Sequence, residues 1–249
     1  MRICAVVLSL IVTVSASGFA RAQANAYPVP VIAELFTSEG CNSCPPADRL
    51  LEMWLQEQPI TGVYVLALSE HVTYWDHQGW KDPFGKQQFT TRQQQYGLRF
   101  NLDSIYAPQL VIDGTREFVG SDKRSIERAL ADAAKTPKPA LTVDVSITDG
   151  TLNMTASGPG LTSEKDAELL FAVTEDRIVV DVKRGENANK TLRHSGVVRW
   201  LHSAGTISSL LPTATIKIAP DWRRENLRVV ALVQGKNRRV VSAAYAMPR

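Results

Sequence analysis

Ten residues, Glu39-Gly40-Cys41-Asn42-Ser43-Cys44-Pro45-Pro46-Ala47-Asp48, narrow the folds open to this chain more than any other stretch. An apolar run, Val31 to Phe36, precedes them and is interrupted only by Glu34. Ala47, Leu50, Leu51, Trp54 and Leu55 follow at helical spacing. The pattern predicts a strand, a tight turn bearing two thiols, and then a helix. Pro45 and Pro46 suit a first helical turn, where a missing N–H leaves no bond unmade. Cys41 is then expected at or beside the helix N-terminus, where free N–H groups and the helix dipole favour a thiolate.

Two thiols at this spacing can open and close a disulfide, which is a two-electron redox cycle. In that reading Cys41 is the exposed nucleophile and Cys44 is the thiol that resolves a mixed disulfide. The dithiol carries the electrons, so no organic cofactor and no metal is required. Covalent haem attachment needs a histidine after the second cysteine, where Pro45 stands. Structural zinc needs four ligands, and there is no second cysteine pair. Two alternatives stay open. Soft thiolates can carry Cu(I), with His71 as a further ligand, or the pair can be a permanent disulfide in a non-catalytic binding module.

The start of the chain reads as a secretory leader. Met1-Arg2 is a short positive start, Ile3 to Val14 is almost wholly apolar, and Ala20-Arg21-Ala22 offers a cleavage site. Residues 1–22 are therefore expected to be removed, leaving about 225 residues in the periplasm or outside a bacterial cell. No later stretch is long and apolar enough to span a bilayer, so stable membrane insertion is not expected after cleavage. Loss of Arg2 and Arg21 lowers the formal charge of +3 by two, too small a balance to imply a nucleic-acid partner. The remaining length allows a substantial core and two domains.

Val63 to Leu68 reads as a second buried strand, giving a parallel βαβ unit. His71 to Phe84 is dense in aromatics and turn formers; Trp75 and Trp80 are candidates for a substrate-binding wall, and, compatibly with that, Trp75, Trp80 and Phe84 can pack this insertion onto the sheet. Gln87 to Phe100 is expected to be helical. Pro108 introduces a hairpin turning at Asp113-Gly114, and Asp122 can cap a helix whose face is Ile126, Ala129, Leu130 and Ala133. Thr136-Pro137-Lys138-Pro139 reads as a linker. Beyond it, Leu141, Val143, Val145 and Ile147 alternate with polar residues, and several short strands follow. His194 and His202 stand alone, without a recognisable catalytic constellation. Arg184-Gly185-Glu186-Asn187 is a turn-rich stretch that either docks on the first half or is solvated.

This order of elements resembles the thioredoxin fold. Glu34 through Asp48, His71 through Phe84, Tyr106-Ala107-Pro108-Gln109, Arg184-Gly185-Glu186-Asn187 and Thr191-Leu192-Arg193-His194 together are similar to the DUF1223 family, secreted thioredoxin-like bacterial proteins whose name assigns no function. The resemblance implies a cis Pro108 facing the dithiol and an Ala107 backbone that pairs with a bound peptide. It also implies a buried acid that takes a proton from Cys44. Glu34 is the nearest candidate, one residue further from Cys41 than in thioredoxin, and a one-residue shift reverses a strand side chain's face. The expected architecture is thus α/β: a thioredoxin-like domain with a helical and aromatic insertion over residues 28–136, followed by an all-β sandwich-like domain over residues 140–249. The expected function is thiol–disulfide exchange with protein or small-molecule thiols and disulfides. Asn42-Ser43 between the cysteines does not fix its direction.

Overall fold

The computed structural model describes residues 28–207 and 211–248. The predicted leader lies outside them. Among the described residues no helix is long and apolar enough to cross a membrane.

The first half begins as the apolar pattern predicts. Strand β1 (Val29–Thr37) leads through the cysteine turn into helix α1 (Pro45–Glu57), with both prolines in its first turn. Ala47, Leu51, Trp54 and Leu55 form the buried face, and the helix ends at Gln58, whose left-handed backbone returns its N–H to Trp54. Strand β2 (Val63–His71) lies parallel to β1 from Val29↔Val63 to Thr37↔His71. Helix α2 (Gln87–Phe100), strands β3 (Gln109–Ile112) and β4 (Arg116–Val119), and helix α3 (Lys123–Ala133) complete this half. Asp113 and Gly114 both adopt positive φ in the β3–β4 turn, 47° and 62°. Asp122 caps α3 by accepting from the Ser125 N–H at 3.1 Å.

The second half supplies β5 (Thr142–Thr148), β6 (Thr151–Ser157), β7 (Glu168–Glu175), β8 (Ile178–Asp181), β9 (Thr191–His194), β10 (Val197–Thr206), β11 (Thr213–Lys217), β12 (Leu227–Gln234) and β13 (Val240–Ala246). These strands overturn the expected architecture. A thioredoxin-like α/β domain with a helical insertion, followed by an all-β sandwich-like domain, is not what the chain forms. It is mostly β, with three α-helices among the described residues, and one mixed sheet of eight strands runs through both halves in the order β13-β12-β7-β10-β2-β1-β3-β4.

The physical reason lies in β7 and β12. Each carries an uninterrupted apolar run, residues 169–173 and 229–233, and is buried along nearly its whole length, as befits strands covered on both faces. Leu169, Phe171, Val173, Val229 and Ala231 share a core with Val143, Leu152 and Met154 of the small sheet β11-β6-β5. Their even-numbered neighbours Leu170, Ala172, Val230 and Leu232 share another with Ile32, Leu66, Leu68 and Phe89 from the first half. A strand that alternated between core and solvent could close a separate sandwich. These strands have to be packed from both sides.

The halves join where β10 lies parallel to β2 at Val197↔Ser69, with the Ser69 N–H donating to the Gly196 carbonyl at 2.8 Å. Gly196 has φ 69°, and a Cβ there would sit 3.0 Å from the Ala67 carbonyl oxygen. With that φ and so close a backbone oxygen, any side chain at the seam is both strained and crowded.

Candidate functional site

The cysteine turn leaves the C-terminal end of β1, where open sheets with parallel strands place their sites. Cys41 and Cys44 are joined in a disulfide. Cys44 occupies the cap position of α1, and the N–H groups of Ala47 and Asp48 both donate to its carbonyl. Cys41 Sγ lies 3.9 Å from the Ala107 carbonyl oxygen, and the Ala107–Pro108 bond is cis. The structure thus brings Cys41, Cys44, Ala107 and Pro108 together.

Both cysteines are fully buried, which corrects the expectation of an exposed Cys41. The cover is the loop between β8 and β9, the stretch that sequence left as either docked or solvated. Asn187 Nδ2 donates to the Glu39 carbonyl at 2.8 Å and to the Cys41 carbonyl at 2.9 Å. Glu186 Oε2 accepts from the Asn42 N–H at 3.1 Å. Lys190 Nζ holds Asn187 Oδ1 at 2.9 Å. Asn187 is itself fully buried, so this strap is part of the packed structure.

The two tryptophans border the same turn. Trp75 backs onto Gly40, where a Cβ would meet the Trp75 carbonyl at 3.0 Å. Trp80 Nε1 donates to Glu39 Oε2 at 2.7 Å, and Trp80 packs on Gly185 of the strap.

Glu34 is not brought to the cysteines. Ala33 and Leu35 face α1 and α3, so Glu34 points to the other side of the sheet, toward α2. There it accepts from Arg92 Nε at 2.7 Å and from the Tyr96 hydroxyl at 2.5 Å. The one-residue shift has reversed its face, and the turn does not absorb it.

Acid and base groups do lie by the turn, and of them the sequence reading had considered only His71, as a Cu(I) ligand. Glu39, Asp48, His71, Asp82 and His194 are all buried around it. His71 Nδ1 meets Asp82 Oδ2 at 2.7 Å, and that oxygen also accepts from the Glu39 N–H at 2.8 Å. Burial pushes the His71 pKa down, but the Asp82 charge and hydrogen bond outweigh it and hold it above its ordinary value. Burial pushes Asp82 up, and His71 more than reverses this, leaving its carboxyl below the usual range. The two shifts agree on a charged pair. Burial raises Asp48, with His194 and His71 opposing. Asp48 could have been found: it stands four residues after Cys44 on the apolar face of an otherwise conventional helix. His194 carries no local signal of its role, because only the fold brings β9 to α1.

Among the described residues no group of three or more His, Cys, Asp or Glu is arranged to hold a metal ion. His71, the ligand considered for Cu(I), is bonded to Asp82.

The fold and site together define a mixed-sheet protein with a sealed disulfide beside a buried histidine–carboxylate cluster. A family model described as a protein of unknown function, DUF1223, matches residues 32–234, and the chain belongs to that family. No curated protein matches it. Among solved structures it is similar to protein AGR_C_4864 from Agrobacterium tumefaciens, at 24% identity and TM-score 0.68, covering 88% of this chain and 95% of that one. HBP35 of Porphyromonas gingivalis is 14% identical with TM-score 0.55, covering 90% of this chain and 76% of that one. These likenesses concern the fold alone.

Proposed function

We propose that the chain is an exported thiol–disulfide oxidoreductase in which Cys41 exchanges with a substrate sulfur and Cys44 closes the protein disulfide. The observation that carries this reading is the placement of Cys41 Sγ against the Ala107 carbonyl, at the head of Pro108 and β3. An extended substrate segment laid beside Ala107 would present its sulfur to Cys41. Trp75 and Trp80 are the walls of that approach. A disulfide over so short a loop adds only about 2 kcal/mol by loop closure, little help to a chain with cores of this size. The apolar leader fits an oxidising compartment, where such a bond forms. Substrates are protein or small-molecule thiols and disulfides, and the strap must lift for exchange.

The burial of both cysteines favours a second reading, a structural disulfide in a binding module. Equilibration in glutathione buffers, read by thiol alkylation and mass spectrometry, separates the two. A reversible two-electron transition between roughly −120 and −270 mV is expected for a working pair, and a potential below about −300 mV overturns the oxidoreductase reading.

A further inference from the structure

Five ionisable side chains from separate segments converge beside the disulfide. Glu39 lies in the turn, Asp48 on α1, His71 on β2, Asp82 in the following loop and His194 on β9. None is more than 6% exposed. His194 Nε2 is 3.2 Å from Glu39 Oε1, and its Nδ1 is 3.9 Å from Asp48 Oδ2. The His71 and His194 rings meet edge-on, with centroids 5.0 Å apart.

Part of this cluster is satisfied and part is not. Asp82 engages His71 Nδ1 and two backbone N–H groups, those of Glu39 and Phe84. Asp48 Oδ1 and His194 Nδ1 make no hydrogen bond, and the 3.2 Å contact of His194 Nε2 with Glu39 Oε1 lacks hydrogen-bond geometry. A buried polar group left unbonded costs about 1–3 kcal/mol, so this pair is a poor device for stability. Groups of this kind mark sites of proton or redox work.

Asp48 also has the right position. The Cys44 backbone is helical, at φ −77° and ψ −38°, and the Asp48 N–H donates to the Cys44 carbonyl at 3.1 Å. Side chains four apart in a helix share one face. When the disulfide opens, the electron pair of the S–S bond leaves on Cys44 in a site closed to water. A bare thiolate there is costly unless it takes a proton.

We infer that Asp48, backed by His194, passes a proton to Cys44 when the disulfide opens and takes it back when the disulfide closes, with a dithiol as the exchanging substrate. The inference rests on the oxidoreductase reading. In the oxidising direction a substrate thiolate attacks Cys41 Sγ, and a substrate–Cys41 bond forms as the Cys41–Cys44 bond breaks. Cys44 departs with the electron pair and takes the Asp48 proton. The second substrate thiolate then attacks the first substrate sulfur and expels Cys41 as thiolate. The substrate loses two electrons and the protein disulfide gains them. The protons shed by the two substrate thiols restore Asp48 and neutralise Cys41. Groups facing Asp48 are His194 from β9, His71 from β2, the Thr37 hydroxyl from β1 and Asp82 from the loop. Burial keeps Asp48 protonated to higher pH than an ordinary aspartate, which suits a proton donor.

The test follows opening of the disulfide in the oxidised full chain by excess reduced dithiothreitol from pH 5 to 8.5, read by alkylation and mass spectrometry. Rates are divided by the dithiothreitol thiolate concentration. The wild-type constant is expected to fall with rising pH as Asp48 loses its proton. Asp48→Asn should be at least tenfold slower at the acid end, with a flat profile. His194→Gln should keep the fall but move its midpoint to higher pH, since His194 lowers the Asp48 pKa. An Asp48→Asn profile parallel to wild type, at any absolute rate, reveals a structural role and overturns the inference alone. A wild-type disulfide that dithiothreitol opens only in denaturant overturns the oxidoreductase reading, and the inference with it.

Discussion

Replacing Asn187 with alanine tests how the disulfide is reached. The side chain makes two bonds to the turn, at 2.8 Å to the Glu39 carbonyl and 2.9 Å to the Cys41 carbonyl, and holds Lys190 at 2.9 Å. Each such bond contributes about 1 kcal/mol net, so truncation should weaken strap closure by roughly 2–3 kcal/mol. That corresponds to a roughly 30- to 150-fold larger open population. Glu186 remains on the Asn42 N–H, so the strap keeps one hold and its register. Native-state hydrogen exchange should show the Asn42 amide losing protection by this factor, while the β1 amides of Val31 to Leu35 keep theirs. The rate of disulfide reduction by a phosphine at neutral pH should rise in proportion. Equal loss of protection at Asn42 and along β1 would mean that the strap opens only with the whole sheet. A reduction rate within twofold of wild type would mean that the strap does not control access. Either result refutes the reasoning.

Two further perturbations test the ground under the site. Glu70 is fully buried, and burial, reinforced by Glu34 against the opposing Arg92, holds its carboxyl well above the usual range. It holds its proton more tightly in the folded chain than in the unfolded one, so its contribution to stability is complete below the unfolded pKa and declines as pH rises toward the folded pKa, at up to about 1.4 kcal/mol per pH unit. Glu70→Gln should remove this decline and make the pH dependence of urea stability shallower above the unfolded pKa, and equal slopes would contradict the assignment. At Gly120 a Cβ would lie 2.9 Å from both Ala47 Cβ and Leu35 Cδ1, and 3.1 Å from Pro108 Cβ. Gly120→Ala should cost about 1–3 kcal/mol by overpacking, measured by urea unfolding, and an unchanged midpoint would show that α1 and the Pro108 segment can separate freely.

Local rules read much of the chain correctly. The strand before the cysteines, the prolines opening α1, the helix over Gln87–Phe100 and the capped α3 all follow from spacing and capping. Most strands after residue 140 were visible as short β-rich runs. Their assembly was not. Val143 and Val145 alternate with polar residues and suggest one buried face, whereas Leu169 to Val173 and Val229 to Val233 are apolar at every position. Read by length alone the second pattern is ambiguous, because a strand covered twice looks the same whatever covers it. The partner layer comes from Ile32, Leu66 and Phe89, far earlier in the chain. At the site, the cysteines and Pro108 carry local signals. Asn187 and His194 stand in stretches that carry the family resemblance, but their roles do not show there, since each acts through a contact that only the finished sheet creates. Glu34 failed for a simpler reason: strand parity is set by the register of β1, and one residue of offset sent it to the other side.

The seam at Gly196 has a consequence for synthesis. As the ribosome releases the chain, residues 28–136 appear first, with the outer edge of β2 unpaired and Ile32, Leu66 and Leu68 lacking half their neighbours. An open strand edge beside bare apolar side chains invites pairing with other chains. The partners that complete it, β7, β10 and β12, come late, and β12 ends at Gln234. The early half must therefore wait for nearly the whole chain before it is safe from aggregation. Such a protein favours release as a complete polypeptide over stepwise maturation.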